Sequence, residues 1–478
     1  MKDLLIQLDH NSKKALYEQI YAFIRNEIAD GKISHGEKLP STRLLAGNLQ
    51  ISRSTVELAY EQLVAEGYLQ TRPCAGYFVC DISGMYEWKQ ENRKETAEHI
   101  RQMEQKRSEN YRITFSPFRV DEEHFPFRLW QKLNRNANFA DDPSFFHAGD
   151  SRGDLRLRSV ISSYLHRARG VNCEPEQIVL GAGNEYLLLL LAQMLGSNKV
   201  VAMEDYTYIQ AAWTFQNMEY IVAPVGMDES GICIDEVKSY GADAVYVMPS
   251  HQFPIGTVMP LKRRMELLQW AAAEPDRYII EDDHDSEFRY RGKPIPSLQG
   301  MDDGNHVIYL GTFSKSIAQS VRVSYMVLPK KLLGRYLSDC GFYSTTVPRI
   351  QQEVLYRFLE NGDFERHLNR MKNVYKTKQE CLLRLLKKQS WVKKIYGENA
   401  GFHVNVELNT TLSEAEVLAL AEGKHIKLFG LSAYRLKKGE VQKPVILLLG
   451  YGNINEAQIK EGIEILSELL DPYVEKQG

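Results

Sequence analysis

Apolar runs of strand length alternate with helical patterns between residues 113 and 345. Helical patterns such as 186–195 and 261–273 lie between the runs. Continuous apolar strands separated by helices are typical of a mostly parallel sheet that is buried on both faces. The pattern therefore predicts a large α/β domain. Its predicted strands are 177–180, 200–204, 220–225, 244–249, 278–282, 306–310 and 322–328.

The predicted strand 306–310 breaks at Gly311, and a single lysine, Lys315, follows among small hydroxyl residues. A lysine amine forms a Schiff base with an aldehyde, and pyridoxal phosphate (PLP) is the common aldehyde cofactor. Thr312, Ser314 and Arg322 can supply the hydroxyl donors and the forked cation that its phosphate needs. The alternative is a solvated lysine in a surface loop.

The preceding predicted strand, 278–282, ends in acidic residues. Ligands of open α/β sheets bind beyond the carboxyl ends of the strands. PLP acts as an electron sink only while its ring nitrogen stays protonated, and a buried carboxylate facing that nitrogen keeps it so. Asp282 is placed for this role, although Asp282 and Asp283 could instead cap the next element.

Two segments resemble the MocR branch of the GntR transcription regulators: 281–288, which reads Glu-Asp-Asp-His-Asp-Ser-Glu-Phe, and 311–315, which reads Gly-Thr-Phe-Ser-Lys. These regulators fuse a winged helix-turn-helix to a domain shaped like a fold-type I aminotransferase. The resemblance implies a multidomain chain with that winged helix first, then a mostly parallel α/β PLP-binding domain, then a small α+β domain. It also implies a DNA-binding motif near the N-terminus.

Residues 1–80 carry the pattern of such a motif. Apolar residues at three- and four-residue spacing over 16–28 predict an amphipathic helix. Ser41 is a predicted N-cap of a short second helix, and Ser52 of a third helix after a tight turn. Because the start of a recognition helix enters the major groove, Arg53 could read guanine or hold phosphate, and Ser52 and Thr55 suit phosphate oxygens. Segments 67–72 and 76–79 predict a hairpin, which would be the wing.

The same stretch is similar to the GntR pattern at 39–43, 52–53, 55–56, 59–60 and 66–69. The resemblance implies DNA contacts at Arg43, Arg53, Thr55 and the wing near Gly76. The wing departs from the family's usual Gly-Ser-Gly-Thr-Phe-Val and keeps only the last glycine. The alternative is a helical bundle that makes dimer contacts.

Further cofactor contacts follow from the resemblance. It implies that Tyr208 stacks on the pyridine ring and that the loop 249–256, through His251 or its rival Gln252, faces the phenolic oxygen. The loop 181–184 opens a helix, so its backbone near Ala182 and Gly183 can take a phosphate. His284 stands where the family generally has tyrosine. Since histidine titrates at about 6.5, we expect the cofactor's absorbance to depend on pH differently here.

The C-terminal part predicts helices over 354–386, a half-buried strand over 402–408, a helix over 412–421, a strand over 445–449 and a helix over 454–470. It resembles the small α+β domain of the fold. Aminotransferases of this fold hold a substrate carboxylate with an arginine from that domain. Arg435 is the candidate for this role in effector binding, and a surface arginine is the alternative.

The chain has 478 residues, 44% of them hydrophobic and 25% charged, which is globular composition for two or three domains. The predicted domains are 1–80, a charged linker 81–112, 113–345 and 346–478. The net charge is −3, and residues 1–80 carry nine Lys/Arg against nine Asp/Glu, so DNA binding would depend on local placement of charge. Six scattered cysteines, no Cys-x-x-Cys pair, no secretion signal and no apolar run of membrane length predict a reduced, cytoplasmic protein with no metal site.

Together these features predict a PLP-dependent transcription regulator that binds operator DNA and senses PLP or an amino compound through an aldimine at Lys315. The resemblance further implies a head-to-tail homodimer. The alternatives are a true aminotransferase that carries an accessory DNA-binding module, and a constitutive regulator that uses the PLP fold only as a scaffold. Nothing in the sequence selects an effector or an operator.

Overall fold

The computed structural model divides the chain into two compact units, residues 1–110 and 111–478. It describes residues 6–9, 12, 14–73, 75–81, 111–136, 143–292, 295–302, 306–437, 439 and 443–475. The predicted linker, 81–112, falls almost wholly on 82–110, outside the described residues. Among the described residues, none of the helices combines the length and the apolar character that crossing a membrane requires.

The first unit is a three-helix bundle followed by a hairpin. Its core contains Ile20 and Ile24 from the first helix and Val56 and Leu63 from the third, all fully buried. These residues recur at helical spacing, which is why the helices form and pack against one another. The fold is a winged helix-turn-helix, as the sequence predicts. Its elements are α1 (Leu16–Ala29), α2 (Thr42–Leu49), α3 (Arg53–Ala65), β1 (Leu69–Arg72) and β2 (Gly76–Val79).

The second unit contains the predicted α/β sheet and a smaller antiparallel sheet. Its strands are β3 (Ile113–Thr114), β4 (Ile178–Gly181), β5 (Val200–Glu204), β6 (Ile221–Val225), β7 (Met227–Asp228), β8 (Gly231–Ile232), β9 (Ala244–Val247), β10 (Tyr278–Asp283), β11 (Val307–Thr312), β12 (Ser324–Val327), β13 (Val392–Tyr396), β14 (His403–Leu408), β15 (Ile426–Lys427), β16 (Phe429–Gly430) and β17 (Ile446–Gly450). Its α-helices are α4 (Phe127–Asn136), α5 (Leu155–Arg169), α6 (Asn184–Leu195), α7 (Ile209–Asn217), α8 (Ile234–Ser239), α9 (Leu261–Ala272), α10 (Phe313–Ser316), α11 (Lys330–Arg335), α12 (Arg349–Glu360), α13 (Asp363–Leu386), α14 (Glu414–Glu422) and α15 (Glu456–Leu470).

The large sheet has the strand order β4-β12-β11-β10-β9-β5-β6. Five neighbouring strands, β11, β10, β9, β5 and β6, are parallel. Strand β12 runs antiparallel to both of its neighbours, β11 and β4. The connection from β11 to β12 is short and holds no long crossover helix, so the chain returns beside β11 in the opposite direction. The predicted mostly parallel sheet is confirmed, with this antiparallel strand near one edge.

Both faces of the large sheet are buried. Ile280 and Leu310 lie in one apolar cluster together with α6 and α7, while Ile279 and Val307 lie in another cluster together with α8 and α9. Since successive side chains of a strand point to opposite faces, the continuous apolar runs of β10 and β11 supply both clusters. The sheet therefore holds the carboxyl ends of β10 and β11 side by side, with Asp282 opposite Leu310.

The C-terminal part forms an antiparallel sheet of order β13-β14-β17-β16. Its core includes Ile113, Phe115 and Val120, which stand far earlier in the chain. Ile113 and Thr114 of β3 pair with Ile426 and Lys427 of β15. The segment 113–120, which the sequence analysis placed at the start of the large domain, therefore packs against this C-terminal sheet.

Candidate cofactor site and DNA-binding module

The strand-to-helix turn at the end of β11 places Lys315 in a cavity of about 440 Å³. Thr312 ends the strand, and its Oγ1 accepts a hydrogen bond from Ser314 N at 3.1 Å and another from Ser324 Oγ at 2.9 Å. This cap starts the one-turn helix α10, which carries Lys315. The local sequence of small hydroxyl residues therefore sets the position of the lysine.

The Lys315 side chain is partly buried and lines the cavity. Its Nζ donates to the carbonyl oxygen of Phe118 at 2.9 Å and lies 5.1 Å and 5.6 Å from the ring centroids of Phe118 and Phe402. Burial lowers the pKa of Lys315 to about 8, although the carboxylates of Asp285 and Asp282 raise it. An amine that loses its proton near neutral pH is suited to attack an aldehyde.

Asp282 lies at the carboxyl end of β10 and lines the same cavity. Its carboxylate accepts hydrogen bonds from the Tyr246 hydroxyl and from Asn184 Nδ2, the latter at 3.3 Å. Burial raises the pKa of Asp282 above its ordinary value. A buried carboxylate at this position can share a proton with a ring nitrogen.

The predicted phosphate ligands lie together at the cavity. Thr312, Ser314 and Arg322 all line it, and Ser314 Oγ is buried without a hydrogen-bond partner. Gly183 has a φ of +116°, and a Cβ there would lie 2.2 Å from Arg322 Nη2. Only glycine both adopts this backbone conformation and leaves room for the guanidinium. A hydroxyl without a partner beside a guanidinium fits a phosphate.

Ala182, a further predicted phosphate contact, does not line the cavity. Its backbone N–H donates to Thr346 Oγ1 at 3.0 Å, and its carbonyl oxygen accepts from Arg322 at 3.1 Å. The expected role of this N–H in binding phosphate is therefore corrected, because the group is already occupied. Residue 182 contributes by orienting Arg322.

Glu185 is a cavity residue that the sequence analysis missed. Its carboxylate accepts from the Tyr208 hydroxyl at 2.8 Å and from Arg322 Nη2 at 3.1 Å. Although burial opposes ionisation, hydrogen bonds from its own backbone N–H, from Tyr208 and from Arg322 lower the pKa of Glu185. Glu185 stands in a leucine-rich helix, where nothing in the sequence distinguishes it from a solvated side chain. Tyr208 itself lines the cavity.

His284 also lines the cavity, and its Nε2 lies 3.3 Å from Asp285 Oδ2. His251 lies behind it, outside the cavity lining, with Nδ1 at 2.9 Å from the same carboxylate oxygen. Burial works against the charged form of His284, but Asp285 and Asp282 raise its pKa above the ordinary value. The same two imidazoles hold the pKa of Asp285 well below its usual range despite burial. One nitrogen or oxygen atom each from His251, His284 and Asp285 lies within 4.8 Å of the other two, and such atoms can ligate metals. Here the two imidazoles pair with the carboxylate.

Two further predicted residues lie outside the cavity lining. Gln252 Nε2 donates to Glu204 Oε2 at 2.9 Å and to two backbone carbonyls, and its Oε1 accepts from Ile255 N, so the loop occupies both ends of the amide. Arg435 Nε donates to Asp205 Oδ2 at 3.1 Å. Both expectations are corrected: Gln252 does not face the cavity, and Arg435 is paired with a carboxylate of this chain.

The predicted DNA contacts lie on the turn, the third helix and the wing of the first unit. Ser52 Oγ caps α3 by accepting from Thr55 N at 3.3 Å and lies 2.7 Å from Thr55 Oγ1. Arg43 and Arg53 are exposed, and Arg53 pairs with Glu57 at 2.8 Å. Gly76, at the start of β2, has a φ of +102°. The wing also carries Arg72, which stacks on the Phe78 ring at 4.3 Å and was not among the predicted contacts.

Two family models match the chain, one for each unit. Residues 16–79 match "Bacterial regulatory proteins, gntR family", and residues 116–464 match "Aminotransferase class I and II". The probable rhizopine catabolism regulatory protein MocR of Rhizobium meliloti is 30% identical over 477 residues, which are 97% of this chain and 95% of that protein. This chain belongs to the MocR type of GntR-family transcription regulators.

Two further relatives match most of the chain. The HTH-type regulator YdeL of Bacillus subtilis is 38% identical over 453 residues, 94% of this chain and 96% of its own length. The pyridoxine biosynthesis regulator PdxR of Corynebacterium glutamicum is 31% identical over 382 residues, covering 80% and 81% of the two chains. The winged helix therefore makes this MocR-type chain a DNA-binding regulator.

Solved aminotransferases share the fold of the second unit. An archaeal alanine:glyoxylate aminotransferase superposes with a TM-score of 0.69 at 24% identity, covering 77% of this chain and 92% of that one. The kynurenine aminotransferase of Pyrococcus horikoshii gives a TM-score of 0.66 at 24% identity, covering 78% and 93%. The second unit of the MocR-type chain thus has the fold of these aminotransferases.

Proposed function

We propose that this regulator binds PLP through Lys315 and that PLP or an amino compound at this site controls operator binding by the winged helix. One observation carries the proposal. The partly buried Lys315, with the pKa of its amine lowered to about 8, lines one cavity together with Asp282 and with the hydroxyl and guanidinium donors Ser314 and Arg322. This is the donor set that PLP requires.

Each lining residue would do one task. Asp282 holds a proton at the ring nitrogen, and Thr312, Ser314 and Arg322 hold the phosphate. Tyr208 covers the ring. Bound PLP would supply an aldehyde for condensation with amines and a ring that withdraws electrons.

Regulation requires that the ligand bind two arrangements of the protein with different affinities. We place the coupled change in the DNA-binding module of a homodimer, head-to-tail as the family resemblance implies. Ligand binding at Lys315 would then shift the population of the arrangement that fits the operator.

The rival function is a true aminotransferase with an accessory DNA-binding module. The pair of Lys315 and Asp282 would serve such an enzyme equally well. However, Arg435 does not line the cavity, because Asp205 holds its guanidinium. The cavity residues therefore offer no second arginine for a substrate carboxylate among the described part of the chain, which favours sensing over turnover.

The deciding measurement is the visible absorbance of the purified protein after addition of PLP, compared with that of Lys315→Ala. We expect a visible band in the wild type that is lost or displaced in the variant. Lys331→Ala is the matched control, since Lys331 is an exposed lysine of the same unit. Its band should equal that of the wild type.

Absence of a band in the wild type after addition of PLP would overturn the cofactor assignment. A band that survives in Lys315→Ala would overturn the role of Lys315. Sustained keto-acid production from amino acids would favour the enzyme. Duplexes selected from a random pool would then show whether PLP or amines change DNA affinity, as regulation by this site requires.

A further inference from the structure

We infer that the effector is an amine whose other end carries a hydrogen-bond donor and no carboxylate, and that Gln210 selects it. The inference rests on the proposed function, because it names the class of compound that the Lys315 cavity accepts. It also assigns a specificity role to a residue outside the cofactor ligands. Gln210 is in the first turn of α7 and lines the cavity.

The ionic groups of the cavity leave no cation for a carboxylate. Among the described residues that line it, Arg322 faces Glu185 and the phosphate end, and Lys315 is reserved for the cofactor aldehyde. His284 is paired with Asp285. Burial lowers the pKa of His403 to about 4, so this imidazole is neutral near pH 7. A carboxylate entering here would be buried without a partner, which is costly.

Two side-chain oxygens of the lining residues are hydrogen-bond acceptors without a partner. Gln210 Oε1 and Asn184 Oδ1 are both buried without a partner. The orientation of Asn184 follows from its contacts, because its Nδ2 donates to Asp282 and its oxygen must point elsewhere. A buried acceptor without a partner costs free energy, which a ligand N–H or O–H would recover.

The cavity wall beside Lys315 is aromatic. Phe118, Phe253 and Phe402 line it, and the rings of Phe118 and Phe253 lie 5.2 Å apart. Aromatic faces accept apolar chain and cationic groups and give an anion nothing to bind. Amino alcohols and diamines combine all the required features: one amine for the site at Lys315, an apolar stem and a terminal donor.

The test compares amines that share one chain length. Propanolamine, diaminopropane, propylamine and β-alanine would be titrated into the PLP-loaded full-length protein at one pH and compared at equal concentrations of unprotonated amine. The readouts are the change in visible spectrum and the shift in melting temperature. We expect propanolamine and diaminopropane to reach half-saturation at about tenfold lower concentration than propylamine, as one good hydrogen bond gives. β-Alanine should be the weakest of the four.

Variants of Gln210 test the assignment of the acceptor. Gln210→Leu should reduce the preference for propanolamine over propylamine to near one, and Gln210→Arg should invert the order in favour of β-alanine. The matched controls are Gln216→Leu and Gln216→Arg, since Gln216 is an exposed residue of the same helix. The control variants should keep the wild-type ratios.

β-Alanine binding as tightly as propanolamine in the wild type would overturn the inference. An unchanged ratio in both Gln210 variants would overturn the role of this residue. These failures are distinct from failure of the proposed function, because they arise while the PLP band is present. A wild type without a PLP band would remove the proposed function, and this inference with it.

Discussion

The carboxylate of Glu185 forms an ion pair with the guanidinium of Arg322, which the proposed phosphate site needs. Arg322 donates to Glu185 Oε2 at 3.1 Å, and the two side chains are 54% and 40% exposed. An arriving phosphate must share or replace this partner. We expect the Glu185→Gln variant to bind PLP more tightly, because the phosphate no longer has to displace a carboxylate from Arg322. The gain should be about threefold, since an ion pair this exposed contributes less than ~1 kcal/mol. A titration of the visible band with PLP measures the difference.

Glu229→Gln is the control for the loss of one negative charge, since Glu229 is exposed on a distant turn. It should leave the PLP titration at its wild-type midpoint. If Glu185→Gln weakened PLP binding instead, the carboxylate would be a positioning group for Arg322 and not a competitor.

His284 makes the cavity sensitive to pH. Although burial lowers it, Asp285 and Asp282 raise the pKa of His284 above its ordinary value. The ring therefore keeps its proton to a higher pH than a free histidine and loses it as pH rises through this raised pKa. We expect the visible spectrum of the PLP-loaded wild type to change across this window. In His284→Tyr that transition should be absent, because tyrosine stays protonated to about pH 10. Indistinguishable absorbance titrations of the two proteins would contradict the role of His284.

At the scale of elements, Ser52 is both a predicted DNA contact and the N-cap of α3. Its Oγ accepts from Thr55 N at 3.3 Å. We expect Ser52→Ala to lower the free energy of unfolding of the first unit by about 1 kcal/mol, because the N-terminal N–H groups of the helix lose their partner. Thermal unfolding followed by circular dichroism measures this loss.

Ser52→Asp separates the two roles of the residue. Aspartate keeps the cap, so stability should stay near that of the wild type. Its charge would repel DNA phosphates, so DNA affinity should fall. Wild-type DNA affinity in Ser52→Asp would show that Ser52 only caps the helix.

The elements that place the site were predictable because their patterns are local. The apolar run of β10 ends just before Asp282, and that of β11 ends shortly before Lys315. Because the two strands are parallel, these ends lie together. Arg435 and Gln252 were misplaced because their partners, Asp205 and Glu204, are distant in the sequence. No sequence period encodes such pairs. The predicted role of Ala182 in phosphate binding was wrong for the same reason, because its N–H donates to the hydroxyl of Thr346, which is also distant in the sequence.

At the scale of the whole molecule, the two units have separate cores. The apolar cluster of the first unit runs from Ile6 to Val79, and the clusters of the second unit draw only on residues after 111. We expect a chain of residues 111–478 to fold and to form the PLP band with wild-type affinity while it loses DNA binding. Absorbance titration and a DNA mobility shift check both statements. A truncated chain that fails to bind PLP would show that the winged helix supports the cavity.

The short connection between β11 and β12 carries Lys315 and ends at Arg322, whose φ of +47° is unusual for a residue with a side chain. Both ends of a bound ligand would thus be held by one segment, which joins the two neighbouring strands β11 and β12 of the sheet. If that segment opened by local unfolding, the phosphate donors Thr312, Ser314 and Arg322 would leave the ligand together, and Lys315 would become accessible to the water or amine that must cleave its bond to the cofactor. Loss of the cofactor would then require the opening of this single segment followed by cleavage of that bond.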